Sequence, residues 1–230
     1  YFSTNLNPSS RLQALNSEGE PIMEKINSGF YYFTPVVLAD GTVITASYIS
    51  GHQWFTAYSS TGSQSWQLTY TGAYNNIPAD PSYDTETGTT YSAAGPKLFN
   101  IQSNGLVLNS TDIAPWDYVA TTMVAIGADT LYVGFNSTNP ASGSMLYALN
   151  KADLTEKWSF AADSRINQQI AVDRDGKAYF STETGVLYGV GPDGVQKWAI
   201  QAATPSTISP VLTNGGLIWG FGSKVVGIMP

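Results

Sequence analysis

Residues 184–198, TGVLYGVGPDGVQKW, run from an apolar stretch through a tight Pro-Asp-Gly turn to Trp198. The segment GSMLYALNKADLTEKW has the same form and closes on Trp158. Stepping four residues on from a turn glycine finds the other copies: Gly62 leads to Trp66, Gly105 to Asn109, and Gly19 to Met23. The anchors therefore fall at 23, 66, 109, 158 and 198. A fixed period of roughly 40–45 residues constrains a fold more than any local propensity, because each unit must bury its apolar face on the next. In the Trp158 copy the turn is one residue longer and has no glycine.

A second signal precedes the anchors. TPVVLADGTVITAS (34–47), MVAIGADTLYVGF (123–135), IAVDRDGKAYFST (170–182) and SPVLTNGGLIWGF (209–221) each join two apolar runs through an Asp/Asn/Gly turn. That is the signature of a β-hairpin. Each unit then reads as strand A, tight turn, strand B, loop, strand C, tight turn, strand D. Four short strands per period make a propeller blade. Composition agrees. Charged residues are only 12% of the chain, and Tyr alone occurs 14 times, which suits half-exposed strands better than surface helices. The fold expected is all-β, a propeller of four-stranded antiparallel blades. One domain, 1–230, holds blades near 1–29, 30–71, 72–112, 118–163, 165–203 and 205–230.

The stretch VDRDGKAYFSTETGVLYGVGPDGVQKW resembles the pyrroloquinoline-quinone-like (PQQ-like) propeller repeat along its whole length. The element A-x-x-x-x-G-x-x-x-W recurs in AYSSTGSQSW and, loosely, in ALNKADLTEKW. The resemblance implies that Trp66, Trp158 and Trp198 dock between neighbouring blades. It carries the fold and not one activity, since such blades serve quinone dehydrogenases and envelope assembly scaffolds alike.

The ends of the chain do not complement each other. YFST at residues 1–4 recurs at 179–182 as a strand B, so the first blade begins without its strand A. KVVGIMP aligns with VLYGVGP, so the last blade stops after strand C. Two arrangements stay open: the chain is part of a longer propeller, or its open edges are filled by another copy, since unpaired strand edges template strand addition.

Bulk properties exclude several functions. A net charge of −7 argues against nucleic acid and against anionic lipid surfaces. No cysteine is present, which rules out disulfides, zinc–thiolate sites and thiol nucleophiles. The most apolar stretch, 209–230, is interrupted by Asn214, by glycines and by Lys224, so no helical membrane insertion is expected.

Candidate chemistry is sparse. His52 stands in a predicted B–C connection beside Trp54 with no nucleophile or orienting carboxylate in view. Asp173 and Asp175 in DRDG begin like a calcium loop but lack its distal glutamate, so a hairpin turn is the better reading. No aspartate or glutamate aligns with the catalytic positions of the quinone dehydrogenases, and the vicinal disulfide they use is impossible here. No catalytic residue, cofactor or enzyme activity is therefore expected. Exposed aromatics beside amides and carboxylates suit sugar rings: His52, Gln53 and Trp54; Tyr74 with Asn75 and Asn76; Trp116 with Asp117 and Tyr118. The segment 69–91 is the least blade-like and reads as a long loop over the channel or toward a partner. Asn109 and Asn136 head Asn-X-Ser/Thr sequons, which permit glycosylation. The expected function is a non-catalytic extracellular or cell-envelope module that binds a protein partner or further copies of itself by strand-edge pairing. The alternative is carbohydrate binding.

Overall fold

The structure, a computed structural model, describes residues 2–6, 9–28, 31–49, 52–71, 79–139, 143–206 and 208–228. The chain forms two compact units, Tyr1–Ser110 and Thr111–Pro230. All strand pairings described are antiparallel, and each unit holds three sheets.

In the first unit, β1 (Phe2–Leu6), β2 (Ser9–Leu15) and β3 (Pro21–Ser28) make the first sheet. The second is β6 (Val43–Ile49), β7 (His52–Tyr58) and β8 (Gln64–Thr71), with the short β4 (Tyr31–Tyr32) and β5 (Val36–Val37) both on the edge of β6. The third runs in order β9 (Ser82–Asp84), β10 (Thr89–Ala94), β11 (Lys97–Gln102), β12 (Val107–Asp112).

In the second unit, β15 (Thr130–Ser137), β16 (Ser144–Asn150) and β17 (Glu156–Ala162) make the fourth sheet, with β13 (Tyr118–Ala120) and β14 (Ala125–Ile126) both on β15. The fifth is β18 (Ala171–Val172), β19 (Ala178–Ser181), β20 (Val186–Val190) and β21 (Gln196–Gln201). The sixth is β22 (Val211–Thr213), β23 (Gly216–Phe221) and β24 (Lys224–Ile228).

The four-strand reading of the repeat holds, and so do the three-stranded first and sixth sheets. The segment 69–91 needs correction. Strand β8 extends to Thr71, and from Ser82 onward the chain is a blade hairpin. It turns at Asp84, whose backbone oxygen accepts from Gly88 N at 2.9 Å and whose carboxylate accepts from Glu86 N and Thr87 Oγ1. Residues 72–78 lie outside the described residues.

Burial explains why the strands sit in this order. Strands β10, β15 and β20 are buried along their whole length, whereas the outer β21 is exposed at all positions but Trp198. An inner strand covered on both faces reads as a near-continuous apolar or small-residue run. Within each unit, cores form between successive sheets. Tyr132, Leu146, Ile166, Phe180 and Tyr188 unite the fourth and fifth. Leu187, Leu217 and Trp219 unite the fifth and sixth. Leu12, Met23, Val43 and Tyr58 join the first and second.

Candidate functional site

Four of the five repeated anchors share one geometry. Each faces a small residue across the C–D strand pair: Met23 faces Ala14, Trp66 faces Ala57, Trp158 faces Ala148 and Trp198 faces Gly189. A bulge follows that small residue in every case, and a Cβ on Gly189 would come within 2.4 Å of the Trp198 ring. The alanine of the sequence element is thus a clearance for the indole.

The far side of Met23, Trp66 and Trp158 meets the C–D turn of the next sheet. A Cβ at Gly62 would be 2.7 Å from Met23, one at Gly105 2.8 Å from Trp66, and one at Gly194 2.8 Å from Trp158. Trp66 Nε1 donates to Ser103 O at 2.7 Å, and Trp158 Nε1 donates to Pro192 O at 2.8 Å. The turn glycines stand at φ between 77° and 86°, so only glycine combines this backbone with a flat surface for the ring. The fourth sheet's turn lacks a glycine because Leu154 takes the left-handed position, at φ 62°, and is buried.

A second repeated contact was not visible in the sequence. The residue two before β5, β14 and β18 donates its backbone N–H to the side chain of the equivalent residue one blade on. Thr34 N reaches Asp80 Oδ1 at 2.9 Å, Met123 N reaches Gln169 Oε1 at 2.7 Å, and Gln169 N reaches Ser209 Oγ at 3.0 Å. The acceptor changes from carboxylate to amide to hydroxyl, so no residue pattern betrays it.

Trp198 is the exception among the tryptophan anchors. Its ring packs beside Tyr179 at 5.8 Å between centroids, but no glycine turn covers it and its Nε1 has no hydrogen-bond partner among the described residues. It lines an open cleft of about 490 Å³ together with Asp173, Lys177, Tyr179, Leu217 and Ile228. Asp173 is committed to its own turn. Its Oδ1 accepts from Asp175 N and Lys177 N, both at 2.9 Å, and its Oδ2 accepts from Tyr179 Oη at 2.9 Å. Burial, reinforced by that bond to the Asp173 carboxylate, pushes the Tyr179 hydroxyl up to about 12. Asp175 lies within 3.8 Å of both Arg174 and Lys177. The DRDG segment is therefore a hairpin turn whose carboxylates already have partners. No group of three or more His, Cys, Asp or Glu residues suited to a metal occurs among the described residues.

The other site candidates separate. His52 and Trp54 belong to β7 rather than to a B–C loop, with their rings stacked 18° apart at 5.8 Å. The alternation of HQWFTAY continues the strand to His52, and this moves the loop outward. Gln53 is buried. Tyr74, Asn75 and Asn76 lie outside the described residues. Trp116 is 65% exposed on the turn before β13. Beside it, Asp117 Oδ2 accepts from Ser137 Oγ at 3.0 Å and Asp117 O from Thr138 N at 2.7 Å. Asn109 is on the exposed part of β12. Asn136 is fully buried: Nδ2 donates to Ile166 O and Asn167 Oδ1, and Oδ1 accepts from Ile166 N at 2.9 Å. That sequon is a packing element in the folded chain and has no room for a glycan.

The sixth sheet has two unlike faces. Leu212, Leu217, Trp219 and Val226 pack toward the fifth sheet. On the opposite face Val211 pairs with Ile218, and Val225 follows two positions along; they are 55%, 41% and 70% exposed. Ile208, lying over Gly220, extends this apolar face and is also exposed.

No protein-family model matches the sequence, and no curated protein matches it. Solved structures do. Sqt1 of Saccharomyces cerevisiae superposes with a TM-score of 0.72 at 14% identity, over 93% of this chain and 63% of that one. The C-terminal WD40 domain of Sif2 gives 0.60 at 10% identity, over 93% and 60%. The chain has the β-propeller fold. A protein of unknown function from Bacteroides caccae gives 0.53 at 12% identity, over 85% of this chain and 75% of that one. The chain thus spans less than two thirds of the length of the Sqt1 and Sif2 chains. At these identities the likeness is one of fold.

Proposed function

We propose that this propeller is a non-catalytic protein-interaction module, and that the outer face of the sixth sheet is its main contact surface. The observation that carries the reading is the face formed by Ile208, Val211, Ile218 and Val225, which is apolar and exposed on a sheet whose other side is a packed core. A contiguous exposed apolar patch on a rigid sheet marks a protein-binding surface. We read the blades as PQQ-like, supported by the anchors seated on turn glycines, and without the quinone chemistry of the dehydrogenases. An extracellular or cell-envelope location fits the low charge, the absence of cysteine and the abundance of tyrosine.

The test is sedimentation velocity over a wide concentration range, joined to photo-crosslinking from position 225 in the native host. The reading predicts an assembly, with another copy or with one specific protein, that Val211→Lys and Val225→Lys both abolish while the melting temperature holds. A monomer at every concentration, with no specific crosslink from position 225, contradicts it.

A second reading, glycan binding, is favoured by Trp116. Its ring is exposed beside the Asp117 carboxylate, the pairing that stacks on a sugar and reaches its hydroxyls. Retention on immobilised polysaccharide that Trp116→Ala removes would support it, and silence across a broad glycan panel would dismiss it.

A further inference from the structure

The sequence holds two Asn-Gly pairs, Asn104–Gly105 and Asn214–Gly215, and the fold treats them differently. An asparagine is most reactive before glycine, because no Cβ hinders the approach of the glycine nitrogen to the asparagine side chain. Asn104 is held twice. Its Oδ1 accepts from Leu106 N at 2.9 Å, and the Gly105 N–H donates to Gln102 O at 2.9 Å. The preceding carbonyl, Ser103 O, is fixed by the Trp66 indole at 2.7 Å. The nitrogen that would attack the side chain is thus committed to the turn, and the side chain is committed to Leu106. Asn214 stands at the tip of the two-residue turn between β22 and β23, where Thr213 pairs with Gly216. It is exposed, and its amide makes no hydrogen bond among the described residues. Among those residues the Gly215 N–H meets only the Thr213 hydroxyl, at 3.3 Å, and a Cβ at Gly215 would meet nothing within 4 Å. Exposure belongs to the place of this turn in the blade. Ala128 and Asp129 form the corresponding turn of the fourth sheet and are exposed although the fifth sheet packs on the fourth. Arg174 and Asp175 are likewise exposed in the fifth sheet, on which the sixth packs.

We propose that Asn214 is a site of spontaneous modification, converting to aspartate and isoaspartate, and that the fold shields Asn104 from the same reaction. The Gly215 nitrogen attacks Asn214 Cγ and forms a cyclic imide. The Cγ–Nδ2 bond breaks, and the side-chain nitrogen leaves as ammonia with the proton given up by the Gly215 amide. Water then adds to one of the two ring carbonyls. Opening on one side gives aspartate, and on the other isoaspartate, whose extra methylene enters the backbone of the β22–β23 turn. Either product places a new carboxylate at the tip of that hairpin. The reaction needs no reagent but water. Three observations select Asn214 over Asn104: its free amide, the long bond to the attacking nitrogen, and the open space around Gly215. The same dipeptide at 104 gives a control within one chain, because only the turn that holds it differs. This inference stands apart from the protein-interaction reading and does not depend on it.

The test incubates the 230-residue chain at mildly alkaline pH, folded and, in parallel, unfolded in urea. Peptide mapping by mass spectrometry follows both asparagines. Labelling by an isoaspartyl methyltransferase with S-adenosylmethionine measures the isoaspartate formed. In the folded chain Asn214 should convert about tenfold faster than Asn104, since Asn104 must give up two good hydrogen bonds and Asn214 only one long one. In urea the two pairs should react at similar rates, which assigns the difference to the fold. Gly215→Ala places its Cβ in open space, so it should slow conversion at 214 several-fold while the melting temperature holds. Equal rates at the two asparagines in the folded chain overturn the proposal. So does an Asn214 that stays intact in the folded chain while it reacts in urea. The same difference persisting in urea would place its cause in local sequence and overturn the shielding of Asn104. Conversion at 214 that is indifferent to Gly215→Ala would mean direct hydrolysis rather than imide closure, and would overturn the proposed route.

Discussion

The indole of Trp66 lies against Gly105, a residue of the following sheet, and its N–H is held by the carbonyl of Ser103 two positions before that glycine at 2.7 Å. Trp158 stands in the same relation to Gly194 and Pro192. One contact thus fixes the spacing of two sheets and explains why glycine recurs in these turns, four residues before Trp66 and Trp198.

Two substitutions of one kind separate backbone strain from ring contact. Gly19 has φ 83° and open space around its Cβ position, whereas Gly105 has φ 86° and the Trp66 ring at 2.8 Å. Gly19→Ala should cost about 1 kcal/mol, the left-handed penalty alone. Gly105→Ala should cost a further ~1–3 kcal/mol for the overpacked contact. Urea unfolding midpoints of the two variants measure this, and equal losses would mean the ring does not seat on the turn.

At Trp158 the apolar and polar parts of the anchor can be split. Trp158→Phe removes the bond to Pro192 O and should cost about 1 kcal/mol. Trp158→Ala also empties the wedge beside Tyr132 and should cost about 3 kcal/mol or more. Chemical denaturation followed by circular dichroism checks both values.

Asn136 ties β15 to the 166–167 segment through three hydrogen bonds in a fully buried position. Asn136→Ala takes the partner from the Ile166 N–H, while Ile166 O keeps the Thr121 hydroxyl, and should cost about 2–3 kcal/mol. Peptide mapping of the protein secreted from a glycosylating host should find Asn136 bare, with any glycan confined to Asn109. Quantitative modification of Asn136 would contradict its burial.

Tyr179 gives a prediction in alkali. Its hydroxyl, raised to about 12 by burial and by Asp173, stays protonated in the folded chain after the unfolded chain has begun to ionise near 10. The unfolded state then binds fewer protons, so stability falls with rising pH across that interval. Tyr132, Tyr147 and Tyr188 are shifted upward as well and share the effect. Tyr179→Phe should lessen the loss of thermal stability between pH 10 and 12 without removing it. An unchanged slope would show that Tyr179 is not held by Asp173.

The sequence announces the fold wherever it spends a distinctive residue on it. The tryptophans, the small residue opposite them and the Asp-Gly turns are distinctive in kind and recur often enough to be read. Other features escape because position, and not identity, is what the structure requires. Asp80, Gln169 and Ser209 do one job with three functional groups. Leu154 takes over a glycine's backbone conformation because its side chain gains a buried site. Ser82–Asp84 makes an A strand from three polar or aromatic residues, too short to show a period. Site residues were legible only as types. Trp54 and Trp116 look alike in sequence, yet one lies along a strand and the other stands out from a turn. Trp198 closes the same element as Trp66 and Trp158, with Gly189 in the place of their facing alanines.

Hydrogen exchange of the indole N–H groups tests the central claim most directly, with each resonance assigned by a Trp→Phe variant. The N–H groups of Trp66, Trp158 and Trp219 are bonded to Ser103 O, Pro192 O and Ser206 Oγ, and should exchange far more slowly than a free indole. That of Trp198 should exchange at close to the free rate. Equal protection at Trp198, or fast exchange at Trp66 and Trp158, would contradict the rule that each anchor is held by the turn of the next blade.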